Sequence, residues 1–328
     1  MLHLRLIVPA DRTDEVVGLV ERTVGTAHVA VLAGAARSPA GDVVLCDVAR
    51  EAGDELIGAL RERGIDSVGS ITVENIDLTL SRHADEAERA APGESADAVL
   101  WEELSEVTHE ESTFSVTYVA FLALATMLAA CGVMLDNAVL IVGAMAVGPE
   151  FGPLAGISTA VVQRAPRLVG RSLWALTGGF VAAMVLTAGF ARLMDALGLF
   201  TADMVAADRP NTGFIWHPDW MSFVVALLAG IAGTLSLTSA KSGALIGVAI
   251  SVTTVPAAAN AAVAFSYQDL AQTWGSSGQL MANLGGIVLA GTLTLLVQKA
   301  LWARQRRTDP AVRPGPSVRR GSVSRGRP

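Results

Sequence analysis

The chain has 328 residues, of which 52% are hydrophobic, with a mean hydropathy of +0.47 and a formal charge of −7. Two cysteines, Cys46 and Cys131, are too few for a disulfide framework, and both read as packing residues. The charge is split: residues 1–112 hold 9 Lys/Arg and 23 Asp/Glu, while residues 113–328 hold 15 and 8, so an acidic soluble part precedes a membrane part with basic flanks.

The start, MLHLRLIVPADR, is too polar and too soon charged for a signal peptide, which assigns membrane insertion to internal helices. Residues 1–80 alternate strand and helix signals. Leu2 to Val8 alternates with period two, and Asp11 or Thr13 is placed to cap a helix carrying Val16, Val17, Leu19 and Val20. His28–Leu32 and Asp42–Val48 read as strands joined by a polar turn. Glu51–Arg63 is amphipathic, Gly64 stops it, and Val68–Leu80 returns as a strand. The order β-α-β-β-α-β predicts a ferredoxin-like cytoplasmic domain, suited to a regulatory ligand or to self-association.

Residues 81–113 read as an acidic mobile linker followed by an amphipathic helix over Val99–Glu111 that leads into the membrane. His83 among Asp85, Glu86 and Glu88 reads as solvated linker charge, because a metal site needs rigid, converging ligands.

Residues 114–302 form the membrane domain, with apolar segments near 114–135, 137–162, 168–194, 221–238, 243–265 and 280–302. With six spans, Arg164, Arg167, Arg171, Lys241, Lys299, Arg304, Arg306 and Arg307 fall on one side. Asp136, Asp195, Asp203, Asp208, Asp219 and Asp269 fall on the other, offset only by Arg192 and Arg209, which predicts a cytoplasmic-membrane protein with both termini inside. The tail, 303–328, reads as disordered and basic, a positive-inside anchor without aromatic residues for nucleic acid.

Two of these segments are interrupted at matching depth, by Pro149 and Pro153 in 137–161 and by Pro256 in 243–265. Each half places a plain helix first, a broken one second and a long one third, which predicts an inverted 3+3 repeat. In lipid, non-helical backbone survives only against protein or a water-lined cavity, so the breaks point to a solute or ion pathway. Its candidate residues are Gly148, Pro149, Glu150, Gly152, Pro153, Thr253, Thr254, Pro256, Asn260 and Asn283. Glu150 stands out because an ionisable group inside a span is costly and marks function. The plainer reading makes it a cap for the following half-helix. For Gly148, Gly152 and Gly156 the plainer reading is close helix packing, and for the Thr and Asn residues it is interhelical bonding.

The run Ile141–Ile157 (IVGAMAVGPEFGPLAGI) resembles the signature of DUF389, a family of bacterial and archaeal membrane proteins of unknown function. Ile250–Ala259 resembles its second motif and Asn283–Ile287 a third, so the resemblance covers 114–302. Gly148 and Glu150 depart from the pattern, where a serine and an apolar residue are commoner. The resemblance implies the head-plus-six-span layout and carries no substrate. With no GxSxG, HExxH, paired membrane aspartates or Ser/His pair in the spans, an enzyme is not expected, and neither is a cofactor or metal. The leading reading is a transporter or channel for a small polar or ionic solute, regulated by a cytosolic ligand at the head. The alternative is a non-transporting sensor or scaffold whose spans anchor and oligomerise the head. Expected partners are the lipid bilayer, the solute and a second copy of the chain.

Overall fold

A computed structural model describes residues 1–91, 99–216, 220–239 and 254–308. The head begins with β1 (Leu2–Val8), whose alternation turns Leu2, Leu4, Leu6 and Val8 into a core where each is at most 1% exposed. Then come α1 (Thr13–Arg22), β2 (Thr26–Arg37), β3 (Ala40–Val48), α2 (Arg50–Glu62), the single turn α3 (Ile65–Val68) and β4 (Ser70–Asn75). The sheet order is β2-β3-β1-β4, and every neighbouring pair is antiparallel. Val16 and Val20 of α1 and Leu56 and Leu60 of α2 cover the Leu2–Val8 face. Cys46 lies in this core, where burial and then neighbouring Asp47 push its thiol up to about 12, so it behaves as an inert packing group. Replacing Leu4 by alanine is expected to cost about 3 kcal/mol of head stability, within the range for leucine truncation in a closed core. Chemical denaturation of the full chain followed by far-UV circular dichroism checks this.

Three local expectations shift. Neither Asp11 nor Thr13 caps α1: the Thr13 hydroxyl instead donates to Asp42 at 2.6 Å, tying the helix start to β3. The last strand ends at Asn75, short of Leu80, and Leu78 and Leu80 stay exposed. Within the segment read as a mobile linker, residues 82–90 form a helix, α4 (Arg82–Ala90). Ser81 caps it by accepting from the Ala84 N–H, and its hydroxyl also meets His28 at 2.7 Å. Ala84 and Ala87 are buried, so α4 is docked on the head. The rest of that linker, 92–98, and the tail from 309 lie outside the described residues.

Helix α5 (Trp101–Glu111) joins the two parts. Leu100, just before it, belongs to the head core, while Leu104 clusters with Val162 and Leu295 of the apolar part. Arg50 and Arg61 of α2 form ion pairs with Glu103 and Glu102 of α5.

The apolar part continues with α6 (Val116–Met134), α7 (Ala138–Met145), α8 (Phe151–Gln163), α9 (Pro166–Ala196), the short α10 (Ala202–Ala206), α11 (Trp220–Thr238), α12 (Val255–Ser266) and α13 (Leu270–Thr308). Four of these, α6, α9, α11 and α13, are long and apolar enough to cross a membrane; α8 and α12 are apolar but shorter. Only 33% of the most apolar stretch of α9 is buried, and Trp174, Val181, Val185 and Leu193 point outward, a distribution that suits lipid as solvent. The chain is thus a membrane-associated protein with a small antiparallel head.

Helix α13 starts ten residues before the apolar segment expected at 280. Asp269 accepts from the Gln272 N–H and starts it, and the polar run Gly275–Gln279 is helical because Ser276 and Gln279 face inward and are buried.

Candidate functional site

The interruption between α7 and α8 has a simple local cause. Asn137 caps α7 by accepting from the Leu140 N–H, and the helix ends at Met145. Pro153 sits in the first turn of α8, where its missing N–H removes no helical bond, and Pro149 lies just ahead. Helix α12 begins likewise, with Thr254 before it and Pro256 in its first turn. The prolines therefore mark the starts of two short helices.

Those starts meet. The Thr254 hydroxyl donates to Glu150 Oε1 at 2.8 Å, with Glu150 1% exposed and Thr254 fully buried. Each helix start carries N–H groups without intrahelical partners and a positive partial charge, so two positive ends converge on one carboxylate. The Glu150 side chain makes no capping bond to α8, so it is turned to the opposite helix and not to its own. From this meeting point the helices run apart along α13. Ser158 of α8 donates to the Val288 carbonyl at 3.2 Å, and Val162 clusters with Leu295. Asn260 of α12 instead reaches back to Ser276, at 2.7 Å.

The remaining candidates fall in different places. Gly148, Pro149 and Gly152 line a cavity of about 640 Å³ beside the break, which is also walled by Glu110, Glu111 and Tyr118. Gly152 and Gly156 are close-packing positions: a Cβ on Gly152 would lie 2.4 Å from Glu111 Cβ, and one on Gly156 would lie 2.4 Å from Ser112 Oγ and 2.5 Å from Ser172 Oγ. Thr253 and the beginning of its segment lie outside the described residues. Asn260 and Asn283 are buried, but neither is bonded to Glu150 in the contacts observed.

Asn260 belongs to a second polar centre that the sequence reading passed over. Arg209, 6% exposed, donates to Asn260 Oδ1 at 2.9 Å and to the Gln272 side-chain oxygen. Gln272 donates on to the Val205 carbonyl, and Asn260 to Ser276. Along α13 the buried polar residues are Gln272, Ser276, Gln279 and Asn283, spaced four, three and four apart, which puts them on one helical face. That spacing was the available signal. Burial holds the Arg209 guanidinium below its ordinary pKa, while Asp136 and Asp269 pull the other way. Asp136 also anchors the segment next to Arg209, accepting from Thr212 Oγ1 and Asn211 Nδ2, each at 2.8 Å. No group of three or more His, Cys, Asp or Glu side chains converges as a metal site among the described residues.

Residues 145–289, which contain both breaks and the Arg209 centre, match the family described as a domain of unknown function, DUF389. An uncharacterised protein of Methanocaldococcus jannaschii is 24% identical over 163 residues, covering 50% of this chain and 48% of that protein. The match thus spans about half the length of the relative. No solved structure matches the chain.

Proposed function

With residues 145–289 a DUF389 domain, we propose that this chain is a multi-pass membrane protein that moves a small polar or ionic solute past Glu150. One observation carries the reading: the starts of α8 and α12 meet inside the bundle around a buried carboxylate. Irregular backbone at membrane depth is retained where it serves a cavity, and paired half-helices with facing N-termini are how several transporter folds hold a charged group.

In this reading α7 and α8 together make one interrupted crossing, and 243–265 makes its counterpart, giving six spans in two inverted halves. The divergence of α8 and α12 along α13 supports the inversion. The protein lies in the cytoplasmic membrane with both termini inside, as the short-loop Lys/Arg bias suggests. It works without enzymatic chemistry. The head is a ferredoxin-like regulatory domain, a reading supported by its β2-β3-β1-β4 order. Helix α5 transmits its state, because Leu100 and Leu104 are embedded in the two cores it connects. A non-transporting scaffold would share the head and the spans but gives no reason to bury Glu150 between helix starts.

Cysteine-scanning accessibility tests the reading, across 145–157 and 254–260 in intact cells, on a Cys46- and Cys131-free background. Labelling of 148 and 149, which are half-buried beside the break, by small aqueous thiol reagents is expected, with protection at Gly156 and Ala257. Uniform protection of both segments overturns the pathway.

A further inference from the structure

A groove of about 590 Å³ lies where the head meets α5. Its floor follows from the sheet order. Strand β4 is an edge, and its Ile71 and Val73 stand opposite Leu6 and Leu4 of β1, so they share the apolar face that α1 and α2 cover. The cover stops short of the edge: Leu4 and Leu6 are fully buried, whereas Val73 is 38% exposed. Ile71 and Val73 make the floor together with Ile57 of α2, Leu100 and Val107 of α5. The rim is acidic, with Asp66, Glu102, Glu103 and Glu106 set against one guanidinium, that of Arg61. Glu102 and Glu103 are paired with head arginines, while Glu106 forms no ion pair among the described residues. Helix α5 as a whole carries five glutamates and no Lys or Arg. Such a strip suits an extended basic segment with small apolar side chains.

The chain carries a segment of that kind, and its root is close by. Helix α13 runs past α5: Leu295 clusters with Leu104, and the Lys299 ammonium lies 5.5 Å from the centre of the Trp101 ring, one residue before Glu102. The helix continues to Thr308, about 14 Å further along its axis at 1.5 Å per residue. Residues 309–328 follow. They hold five arginines (Arg313, Arg319, Arg320, Arg325 and Arg327) against a single acid, Asp309, and their larger apolar side chains are Val312, Val318 and Val323. Twenty residues can span about 66 Å when extended, so the groove is well within reach.

We propose that this groove is the docking site of the chain's own C-terminal tail, residues 309–328, with its arginines on the carboxylates of α5 and its valines on the Ile71–Val73 floor. Each exposed ion pair is weak. The tail is tethered, however, so its effective concentration at the groove is on the order of millimolar, and a weak contact suffices to keep it there. Docked, the tail straps the end of α13 to the head across α5, the helix that joins the head to the bundle. The assignment does not depend on whether the bundle moves a solute.

Disulfide trapping in the full chain tests this, on a Cys46- and Cys131-free background. Ser317→Cys in the tail is combined with Ser105→Cys in the groove or, as the control, with Ser38→Cys at the turn after β2, on the opposite edge of the sheet. Mild oxidation in detergent is expected to cross-link position 105 at least tenfold faster than position 38, within one chain. Raising sodium chloride from about 0.1 M to about 1 M shortens the screening length from about 10 Å to about 3 Å and should slow the reaction several-fold. Glu106→Lys should slow it likewise. Replacing the five tail arginines by glutamine leaves the head, α5 and the bundle unchanged and should do the same, which keeps the test valid if Glu106→Lys does not fold. Equal rates at 105 and 38, or rates indifferent to these substitutions, overturn the proposal. A cross-linked dimer in place of the monomer assigns the groove to a second copy's tail and overturns it too. The same pair in nanodiscs separates lipid from protein: cross-linking retained with phosphatidylglycerol supports docking, and its loss there, with retention in phosphatidylcholine alone, gives the tail to the anionic membrane surface and overturns the proposal.

Discussion

Glu150→Gln is expected to abolish solute flux in proteoliposomes, by roughly 100-fold or more, the factor carried by a lost charged contact of about 3 kcal/mol. Glutamine keeps a side-chain oxygen where Glu150 accepts from Thr254, so the bond between the two helix starts survives. What disappears is the charge. The two helix ends then lose a negative partner worth about 0.3–1 kcal/mol each, while removal of a buried ion recovers several kcal/mol of desolvation. These terms oppose each other, so the thermal midpoint should move by only a few degrees as flux collapses. Glu150→Ala differs, because it also leaves the Thr254 hydroxyl buried and without its acceptor, and it should lose both flux and stability. Comparing the two by flux and by thermal unfolding separates charge from architecture. Full flux in the glutamine variant would remove Glu150 from the mechanism.

The head was legible because its alternation is strong: Leu2, Leu4 and Leu6 on one face, and Leu56 and Leu60 on a helix, are the core residues observed. Its errors lie at polar edges. Helix α4 was hidden because its sequence is acidic and alanine-rich, and its docking depends on two alanines and a cap, which carry little hydropathy signal. In the membrane part, the prolines announced the two helix starts, since proline tolerates the first turn and little else in a helix. That the starts face each other could not be read, because a contact 104 residues apart leaves no local pattern. Asn260 stands out as a polar side chain in an apolar run, and the structure sets it against Arg209 and Ser276, with no bond to Glu150 among the described residues. Its partner Arg209 lies in a loop, where a sequence reading gives an arginine to solvent; its burial is set by α12 and α13 packing over it.

Arg209→Met is expected to be among the most destabilising changes outside the head core, at about 3–5 kcal/mol. The guanidinium is a buried cation satisfied by two side-chain amide oxygens, from Asn260 and Gln272, on two different helices. Removing it strands both acceptors in a site closed to water, at about 1–3 kcal/mol each. Methionine recovers part of this through apolar burial, but it cannot bridge α12 to α13. Arg192 is the control: it is 60% exposed, its contact to Asp195 is 3.9 Å, and Arg192→Met should shift stability by less than about 0.5 kcal/mol. Thermal unfolding in detergent measures both, with a drop on the order of 10 °C expected for the Arg209 variant. Arg209→Lys should fall between, because one ammonium cannot reproduce a planar fork that reaches two oxygens on separate helices. If Arg209→Met instead kept its midpoint and lost flux, the polar face from Gln272 to Asn283 would belong to the solute path, and the burial of Arg209 would serve the passage of charge and not the assembly of the helices.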